Sequence, residues 1–476
     1  MQQLTIDIAV LGAGTAGLAA YRAAVAAGKR AVIIEGGPFG TTCARVGCMP
    51  SKLLIAAAEA AHGIDKWPAF GLHLDGQMRI DGRAVMARVR RERDRFVGFV
   101  LEGVDKIPAD DKLIGYARFT GSQSLEVVAA DGSVTHQVDF SQAVIATGSS
   151  PDLPALLRAA GDRLIINDDV FDWDDLPRSV AVFGPGVIGL ELGQSLHRLG
   201  VRVEVFGRGG RVGLFADPAL QDYARRAMAA EFPLHADAHD VEVQRTDDGV
   251  IISHVVDGGL RSSCFDYVLA ATGRSPNVRG LGLEQTGIAL NDRGIPLYDA
   301  NTLQCGDSNI FIAGDANADV PLLHEAADEG RIAGENAALY PNVMPGERRA
   351  RMAVVFSDPQ MAVVGAPLGQ LDASRIVTGA VSFEDQGRSR VMLRNKGLLH
   401  VYVDVDSGRL MGAEMIGPDA EHIAHLLAWV IQLGQTVDGV LALPFYHPVV
   451  EEGLRTALRD AKAKRELARA MRAMAA

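Results

Sequence analysis

Two glycine-rich turns, each between an apolar strand and a helix, constrain the fold of this chain more than any other feature. The first turn follows the apolar run 5–11 and contains Gly12, Gly14 and Gly17 in the pattern G-x-G-x-x-G. The first glycine permits a tight turn, the second lets the backbone approach a pyrophosphate, and the third lets the helix pack closely on the sheet. This unit predicts a dinucleotide site with the diphosphate on the helix N-terminus.

The first unit ends in an acidic residue. Alanines at helical spacing follow the turn, and the next apolar run, "AVII", ends at Glu35. A carboxylate in this place can accept hydrogen bonds from a ribose diol. The glycines alone are a weak signal, but the strand, turn, helix and terminal acid together predict a complete dinucleotide-binding unit.

The same pattern recurs later in the chain, where a second strand–turn–helix–strand unit ends near Phe206. Its turn contains Gly184, Gly186 and Gly189. Two dinucleotide sites in one chain suggest two cofactors that exchange electrons.

The second unit has no acid at its end, because Gly207 occupies the place that Glu35 has in the first. The contact with a ribose 2′-hydroxyl that is typical of NAD is then missing. Arg208 and Arg211 follow, and guanidinium groups can pair with a 2′-phosphate. This favours NADP(H). The alternative is that the arginines are ordinary surface charges and that the pocket accepts NAD(H).

Cys43 and Cys48 lie five positions apart in the segment "GTTCARVGCMPSK", and they are either a redox pair, a metal clip or unrelated buried thiols. Residues five apart on an ideal helix are separated by about 7.5 Å of rise, which is beyond the usual span of a disulfide. A redox pair therefore requires an irregular first turn, which Gly47 and Pro50 favour.

Composition excludes several classes of protein. A chain of 476 residues predicts about three domains, and a net charge of −12 argues against a nucleic-acid partner. The sequence shows neither a signal peptide nor a membrane span. Four cysteines suggest a cytoplasmic protein rather than a disulfide framework. Cys264 and Cys305 are far apart and are predicted to be small buried apolar residues, so no metal site is expected.

The thiol segment resembles the active site of the FAD-dependent pyridine nucleotide–disulfide oxidoreductases, which include dihydrolipoyl dehydrogenase, glutathione reductase and mercuric reductase. Further motifs carry the resemblance through most of the chain: "VIATGSSP" (144–151), "LAATGRSPN" (269–277), "NIFIAGDA" (309–316), "LLHEAADEGRIAGENA" (322–337) and "YHPVVEEGL" (446–454). The last of these resembles the signature of the members that use a histidine base.

The resemblance implies a role for each thiol. Cys48 is expected to lie against the isoalloxazine and form a charge-transfer thiolate, and Cys43 to exchange with the substrate disulfide. Lys52 is expected near the flavin N5, paired with Glu191. Arg45, between the thiols, either shapes substrate access or points to solvent.

By the same resemblance, His447 is the acid–base group, oriented by Glu452, and it reaches Cys43 from the other subunit of a homodimer. An imidazole suits this task because its ordinary pKa of about 6.5 allows both proton uptake and release near neutrality. Pro448 is expected to be the first residue of a helix that places Glu452 one turn further along. Glu451 is the rival orienting group, and only the spacing within the family selects Glu452.

The remaining site residues are expected to bind cofactor. Asp315 would hold the flavin ribityl chain. The other positions that the resemblance assigns to cofactor binding are Thr42, Thr147, Gly148, Gly273 and His324. The residue pattern by itself instead has His324 pack or face solvent in its helix.

The predicted fold is α/β, with two Rossmann-like dinucleotide-binding domains and a C-terminal α+β dimerisation domain. The FAD-binding domain is expected at residues 1–150 and 278–345, the NAD(P)-binding domain at 151–277, and the interface domain at 346–476. The short apolar segments that alternate with helices after residue 346 indicate the last of these.

The predicted function is transfer of electrons between a nicotinamide and a dithiol or disulfide, as in dihydrolipoyl dehydrogenase. The substrate would be a small disulfide or a lipoyl-bearing protein. One alternative is an NADPH-dependent reductase of a glutathione-like disulfide, and another is a docking flavoprotein of a multienzyme complex. Mercuric reductase is disfavoured because its members usually carry a C-terminal cysteine pair, which the tail "AKAKRELARAMRAMAA" lacks.

Overall fold

The computed structural model describes residues 1–256 and 258–475. The strands of this part of the chain are β1 (Gln2–Leu11), β2 (Ala31–Glu35), β3 (Lys112–Ile114), β4 (Tyr116–Gly121), β5 (Ser124–Val128), β6 (Val134–Ile145), β7 (Ser149–Pro151), β8 (Leu164–Ile165), β9 (Ser179–Phe183), β10 (Arg202–Phe206), β11 (Leu234–His235), β12 (His239–Thr246), β13 (Gly249–Val256), β14 (Gly259–Phe265), β15 (Tyr267–Ala270), β16 (Arg274–Pro276), β17 (Ile310–Ile312), β18 (Met352–Val355), β19 (Gln360–Gly365), β20 (Ile376–Ser382), β21 (Leu398–Asp404) and β22 (Leu410–Gly417). The α-helices are α1 (Thr15–Ala26), α2 (Thr42–Val46), α3 (Cys48–His62), α4 (Gly82–Asp105), α5 (Ala155–Arg158), α6 (Asn167–Val170), α7 (Val187–Arg198), α8 (Pro218–Ala229), α9 (Leu323–Leu339), α10 (Gly387–Val391), α11 (Ala420–Gln432), α12 (Val437–Leu441) and α13 (Glu452–Ala475).

Contacts between Cα atoms divide the chain into two compact units. The first comprises Met1–Pro50, Val89–Asp152 and Gly273–Arg348, and the second comprises Ser51–Arg88, Leu153–Thr272 and Arg349–Ala476. The domain boundaries expected near residues 150, 277 and 345 stay a prediction.

The first unit is built on a sheet whose strand order is β3-β2-β1-β6-β5-β4, with β17 also paired to β6. Strands β3, β2, β1, β6 and β17 are parallel, whereas β4 and β5 form an antiparallel extension. Helix α1 packs on α9 through small residues. A Cβ atom at Gly330 or Gly334 would overlap the backbone oxygens of Ala16 and Ala20, so only glycine permits this close approach.

The second unit contains a parallel sheet and two antiparallel sheets. The parallel sheet has the order β11-β10-β9-β15-β8, and beside it lies the antiparallel sheet β12-β13-β14. The chain then forms the antiparallel sheet β18-β19-β22-β21-β20, which packs against α11 and α13. Parallel sheets with crossover helices, followed by an antiparallel sheet covered by helices, confirm the predicted α/β class with a C-terminal α+β part.

One expectation about the cysteines is wrong. Cys305 is buried as predicted, with 2% of its surface exposed, but Cys264 is exposed. Cys264 lies on β14, which pairs only with β13 and therefore forms the edge of its sheet. Most side chains of β14 are open to solvent, so the strand-like pattern of the sequence did not imply burial here.

Within the second unit, Glu414 of β22 joins the C-terminal sheet to helix α8. The residue is fully buried. Its Oε2 accepts hydrogen bonds from the backbone N–H groups of Ala216 and Asp217 at 2.8 and 3.0 Å, and its Oε1 accepts one from Leu368 at 2.9 Å. Burial, together with the charges of Glu414 and Asp217, raises the pKa of Tyr402 well above its ordinary value. Its hydroxyl therefore remains a donor, and it donates to Asp217.

Two further properties of the described residues concern membrane spanning and metal binding. Over the described part of the chain, none of the helices is long and apolar enough to cross a membrane. Residues 1–256 and 258–475 contain no group of three or more His, Cys, Asp or Glu side chains arranged to hold a metal ion.

The Glu414 junction generates a stability prediction. Glu414→Gln keeps the side-chain size but removes one acceptor oxygen and directs an NH2 group at backbone donors. We expect the free energy of unfolding of the second unit to fall by about 1–3 kcal/mol, the cost of leaving a buried donor unsatisfied. The shift of the midpoint of urea unfolding measures this loss of stability. Glu466→Gln, at an exposed position, is the matched control and should change the value by less than about 0.5 kcal/mol. An equal midpoint in the two variants would contradict the prediction.

Candidate active site

The first glycine turn forms a cradle between β1 and α1. A Cβ atom at Gly12 would overlap the carbonyl oxygen of Ala146, and one at Gly17 would overlap that of Gly12, so both positions require glycine for close packing. A Cβ at Gly14 would meet no atom within 4 Å. Gly14 is also the N-cap of α1, whose free N–H groups favour an anion. The cradle is closed by backbone on one side and open at Gly14, which fits a dinucleotide pyrophosphate.

Glu35, at the end of β2, lies beside this cradle. Its Oε2 accepts a hydrogen bond from the backbone N–H of Ala13 at 2.7 Å, and its Oε1 accepts one from Gly37 at 2.7 Å. A carboxylate offers about four acceptor positions. Two remain after these bonds, so the side chain is held in place while it can still accept hydrogen bonds from ribose hydroxyls.

Asp315 lies in the short 3₁₀ turn Gly314–Asn317 that follows β17. Its Oδ2 accepts a hydrogen bond from the Ser149 hydroxyl at 2.6 Å, and Arg274 Nε donates to the oxygen of that hydroxyl at 2.8 Å. Ser149 and Arg274 come from the paired strands β7 and β16. These contacts hold the carboxylate predicted to bind the ribityl chain.

The other predicted cofactor residues of the first unit surround the same strand ends. The Thr147 hydroxyl donates to the carbonyl oxygen of Asn277 at 2.7 Å. Gly148 has a positive φ of 69° and open space at its Cβ position, and Gly273 has a φ of 118°. Thr42 is exposed at the start of α2. The glycines permit backbone that a larger residue would strain.

Two polar atoms at the start of α9 are buried without a hydrogen-bond partner among the described residues, namely His324 Nε2 and Glu325 Oε1. Glu325 is 3% exposed and pairs through its other oxygen with Arg348 at 3.1 Å. An orphaned buried acceptor is costly, so its presence at the start of the helix that follows Asp315 fits a site that a ligand or water completes. Sequence reasoning missed Glu325. The available signal was the spacing of four between Glu325 and Glu329, which places both carboxylates on one face of the helix.

The thiol segment has the irregular turn that a redox pair requires. The helix is interrupted at Gly47, which separates α2 from α3. A Cβ at Gly47 would lie 3.1 Å from the Thr42 oxygen and 3.2 Å from the Cys43 Cα atom. Gly47 therefore lets the start of α3 turn back onto the Cys43 backbone. Cys43 is half-buried and Cys48 is exposed.

Arg45, between the two thiols, is half-buried. A Cβ at Gly40 would lie 3.0 Å from the Cδ atom of Arg45 and 3.0 Å from Val97. The aliphatic part of the Arg45 side chain thus packs over Gly40, so the residue does not simply extend into solvent.

The second glycine turn repeats the first. A Cβ atom at Gly184 would overlap the carbonyl oxygen of Ala271, and one at Gly189 would overlap the carbonyl oxygen of Gly184. The Cβ position of Gly186 is open. Gly186 is the N-cap of α7. The second unit thus has its own pyrophosphate-sized cradle at the N-terminus of a buried helix.

The end of this cradle differs from the first in its packing as well as its sequence. A Cβ at Gly207 would lie 2.6 Å from the Ala236 oxygen and 2.6 Å from Pro185 Cγ, so no acidic side chain fits there. Arg208 is exposed and makes no side-chain hydrogen bond or ion pair within the described residues. Arg211 donates to the Phe215 carbonyl oxygen at 3.1 Å. The segment that follows Gly207 thus carries two arginines and no acid up to residue 211.

An acid nevertheless lies beside this loop, because Asp237 Oδ1 accepts a hydrogen bond from the backbone N–H of Gly209 at 2.7 Å. Sequence reasoning missed Asp237, since it follows β11 and lies far along the chain from Gly209. Its carboxylate also approaches His239, with 3.3 Å between Oδ2 and Nε2.

Lys52 and Glu191 form an ion pair in the second unit. Lys52 Nζ donates to Glu191 Oε1 and Oε2 at 2.9 and 2.7 Å, and Glu191 is 4% exposed. The backbone N–H of Phe356 donates to Oε1 at 3.0 Å, and Ser51 Oγ lies 3.4 Å from Oε2. The buried carboxylate is thus surrounded by donors, while Lys52 keeps part of its surface open.

His447 and Glu452 are also paired, with 2.9 Å between Nδ1 and Oε2. The His447 side chain is 80% exposed. Burial raises the pKa of Glu452, but the hydrogen bonds from His447 and Val449 and the nearby positive charges outweigh it and lower the pKa below its ordinary value. The carboxylate is therefore ionised near neutrality and selects the tautomer with hydrogen on Nδ1.

The expected position of Pro448 in a helix is wrong. Helix α13 begins at Glu452, and residues 448–451 form a turn before it. The N–H of Val449 donates to Glu452 Oε2 at 3.4 Å. Because the Glu452 side chain accepts from both His447 and Val449, the residues before the helix fold back over its first turn instead of extending it.

The structure groups the predicted site residues by unit. Those in the first unit are Gly12, Gly14, Gly17, Glu35, Thr42, Cys43, Cys48, Thr147, Gly148, Gly273, Asp315 and His324. Those in the second are Lys52, Gly184, Gly186, Gly189, Glu191, Arg208, Arg211, His447 and Glu452.

Family models match most of the chain. The model described as pyridine nucleotide-disulphide oxidoreductase covers residues 6–330, and the dimerisation domain of the same family covers residues 352–458. Among curated proteins, the mercuric reductase of Acidithiobacillus ferrooxidans is 32% identical over 95% of this chain and 82% of its own length. The dihydrolipoyl dehydrogenase of Geobacillus stearothermophilus is 30% identical over 93% of this chain and 93% of its own length.

Solved structures agree. The crystal structure of LpdA from Mycobacterium tuberculosis is similar with a TM-score of 0.81 and 25% identity, over 96% of this chain and 99% of that one. The Escherichia coli flavoprotein disulfide reductase RclA, as a Cu(II) complex, has a TM-score of 0.79 at 21% identity, over 96% and 99% of the two chains, which shows the shared fold alone. The dimerisation domain supports a homodimer. The chain therefore belongs to the pyridine nucleotide–disulphide oxidoreductase family, as a flavoprotein oxidoreductase with a redox-active disulfide and with FAD and a nicotinamide dinucleotide as cofactors.

Proposed function

We propose that this protein is a dihydrolipoyl dehydrogenase-like thiol–disulfide oxidoreductase that uses NADP(H). The observation that carries the proposal is the His447–Glu452 pair. Nδ1 is held by the carboxylate, and the exposed ring leaves Nε2 available to a thiol. A histidine oriented in this way is the acid–base group that thiol exchange needs.

In the reductive direction, FAD held by the first glycine turn, Glu35 and Asp315 would supply the redox chemistry that carries an electron pair from the nicotinamide to the Cys43–Cys48 disulfide. The Cys43 thiolate then attacks one sulfur of the substrate disulfide and forms a mixed disulfide, while the other substrate sulfur leaves and takes a proton from His447. Cys48 attacks Cys43, releases the second substrate thiol and re-forms the Cys43–Cys48 bond. His447 first takes from Cys43 the proton that it gives to the first leaving sulfur, and the second substrate sulfur takes the proton that Cys48 loses. The substrate disulfide thus gains two electrons and two protons, and the cysteine pair loses the same two electrons and two protons. The reverse sequence oxidises a dithiol.

The two thiols and the histidine come from opposite ends of the chain. The half-buried Cys43 and the exposed Cys48 lie on either side of the turn at Gly47. His447 is expected to serve Cys43 of the partner subunit in a homodimer, which accords with the high exposure of its side chain in one protomer.

The preference for NADP(H) rests on Gly207 and Arg208. The backbone of Ala236 and the ring of Pro185 fill the place where an acid would bind a 2′-hydroxyl, and Arg208 has no competing ion pair within the described residues. Asp237 favours the opposite choice, but its Oδ1 is occupied by Gly209. A free guanidinium at the rim is the stronger determinant because it forms charge-assisted hydrogen bonds with a phosphate.

A small dithiol such as a lipoyl group and a glutathione-like disulfide remain the two substrate classes. Dihydrolipoyl dehydrogenases at 29–30% identity support the first, whereas a preference for NADP(H) supports the second. A docking subunit of a multienzyme complex is a further alternative, which full turnover by the isolated homodimer would make unnecessary.

Reduction of a soft metal ion is a second candidate, favoured by mercuric reductases that are 32% and 31% identical to the chain. A dithiol pair can bind such an ion. The oriented His447, however, has no evident task in metal reduction. Disulfide chemistry is therefore preferred.

An anaerobic titration tests the function. The oxidised, FAD-loaded protein is mixed with NADH or NADPH, and the long-wavelength thiolate–flavin absorbance is followed. We expect NADPH to reduce it faster and the absorbance to appear near two-electron reduction. The reduced protein is then mixed with lipoamide, glutathione disulfide or Hg(II). Reoxidation by Hg(II) alone would overturn the disulfide proposal, and faster reduction by NADH would overturn the cofactor assignment.

His447→Gln should separate the two halves of the reaction. Loss of the acid–base group should slow reoxidation by a disulfide by about 10²–10⁴-fold, while flavin reduction by the nicotinamide keeps its rate. Glu452→Gln should have the same effect to a smaller extent, because the imidazole remains. His425→Gln, at another exposed histidine of the C-terminal region, is the control. Stopped-flow absorbance measures each step, and disulfide exchange at the wild-type rate in His447→Gln would remove the residue from the mechanism.

Arg208→Ala should discriminate between the nicotinamides. Loss of a charge-assisted hydrogen bond to the 2′-phosphate should raise the Kd of NADPH about tenfold and leave that of NADH within about twofold. Arg261→Ala, at an exposed arginine on β14, controls for the general loss of positive charge. Equal weakening of both nucleotides in Arg208→Ala, measured by titration calorimetry, would rule out the phosphate contact.

A further inference from the structure

The Lys52 ammonium is held from two sides. On one side, Glu191 accepts its hydrogen bonds at 2.9 and 2.7 Å. On the other, the ring centroid of Phe356 lies 4.4 Å from Nζ. A cation over an aromatic face is attracted by the ring quadrupole. The remaining part of the Lys52 side chain, 31% of its surface, is open.

Phe356 also contacts the other member of the ion pair. Its backbone N–H donates to Glu191 Oε1 at 3.0 Å, the same oxygen that accepts a hydrogen bond from Lys52. One residue therefore touches the cation through its ring and the anion through its backbone. A displacement of Phe356 would alter both partners at once.

Helix α7 holds the chain around Phe356 in place. The Gln194 side chain accepts from the backbone N–H of Asp358 at 2.8 Å and donates to its carbonyl oxygen at 2.9 Å. Arg198 donates to Asp358 Oδ2 at 3.2 Å. Glu191, Gln194 and Arg198 follow each other at spacings of three and four, so they lie on one face of α7. This face binds the ion pair at one end and the segment after β18 at the other.

The packing around Phe356 is not tight everywhere. A small pocket, partly open to solvent, is lined by apolar and charged residues of α3, α7 and the segment after β18, among them Ile55, Glu59, Arg198, Phe356 and Asp358. Phe356 is half-buried beside this pocket, and its contacts with Lys52 and with the clamped backbone hold the ring in position.

We propose that Phe356 is a positioning residue for Lys52, and that its ring and backbone N–H together hold the Lys52–Glu191 pair in the geometry that hydride transfer from nicotinamide to flavin requires. This inference rests on the proposed placement of Lys52 beside the flavin. An ammonium held near the reacting ring favours the added negative charge, and its effect depends on a fixed position. Phe356 supplies that fixed position through its contacts with Lys52 and Glu191.

The test uses the FAD-loaded protein with Phe356→Leu, which keeps apolar volume but removes the aromatic face, and with Phe356→Tyr, which keeps the face. In Phe356→Leu, we expect the limiting rate of flavin reduction by NADPH to fall about tenfold, consistent with the range of cation–ring energies. The Kd of NADPH should stay within about twofold, and the midpoint potential of the bound FAD should become more negative. Phe356→Tyr should restore both quantities.

Phe99→Leu is the matched control, because Phe99 also lies under a cation, with Arg95 5.7 Å from its ring centroid, but on an exposed helix surface. It should leave the rate and the potential unchanged. A wild-type rate and potential in Phe356→Leu would overturn the inference, as would a Phe356→Tyr variant as slow as Phe356→Leu.

Lys52→Met distinguishes failure of this inference from failure of the proposed function. If Lys52→Met shifts the FAD potential and Phe356→Leu does not, Lys52 acts on the flavin without help from Phe356, and only the inference fails. If Lys52→Met leaves the potential unchanged, the placement of Lys52 beside the flavin fails, and the inference fails with it.

Discussion

Buried carboxylates that need hydrogen-bond donors organise this protein. Glu191, Glu329 and Glu414 are at most 4% exposed, and an unpaired charge at such a site would cost several kcal/mol. Each is surrounded by donors from a different part of the chain, and each joins elements that the sequence keeps apart. Glu414 connects the C-terminal sheet to α8, and Glu191 connects α3, α7 and the segment after β18. The Lys52–Glu191 ion pair, for which we propose a role beside the flavin, is therefore also a structural junction.

The features that the sequence predicted are those whose physical cause is local. The two glycine turns require close backbone approach within about six residues, and the structure shows this approach at Gly17 and Gly189. The break between α2 and α3 follows from Gly47, whose lack of a side chain lets the turn close. The pairing of His447 with Glu452 is local too, but spacing alone left Glu451 as a rival. The hydrogen bonds at the start of α13 decide between them.

The features that the sequence did not reveal depend on contacts between distant segments. Nothing near Phe356 in the sequence indicates that its ring will meet Lys52, about 300 residues earlier. Cys264 has apolar and polar neighbours like those of a half-buried strand, and only the edge position of β14 exposes it. Asp237 approaches the nucleotide loop because β11 pairs with β10. Hydrophobic periodicity and residue propensities describe one segment at a time, whereas these contacts depend on which segments become neighbours in the fold.

The two dinucleotide cradles share their glycines but differ in what closes the far end. At the first, Glu35 is held by two backbone N–H groups and keeps acceptor positions for a ribose. At the second, Pro185 and Ala236 occupy the corresponding space against Gly207. Changing that glycine to an acid would not convert one cradle into the other, because the side chain would overlap backbone. The absence of an acid at the second cradle is thus built into main-chain packing, and the contact proposed between Arg208 and a 2′-phosphate would form at a rim that the packing leaves without an acid.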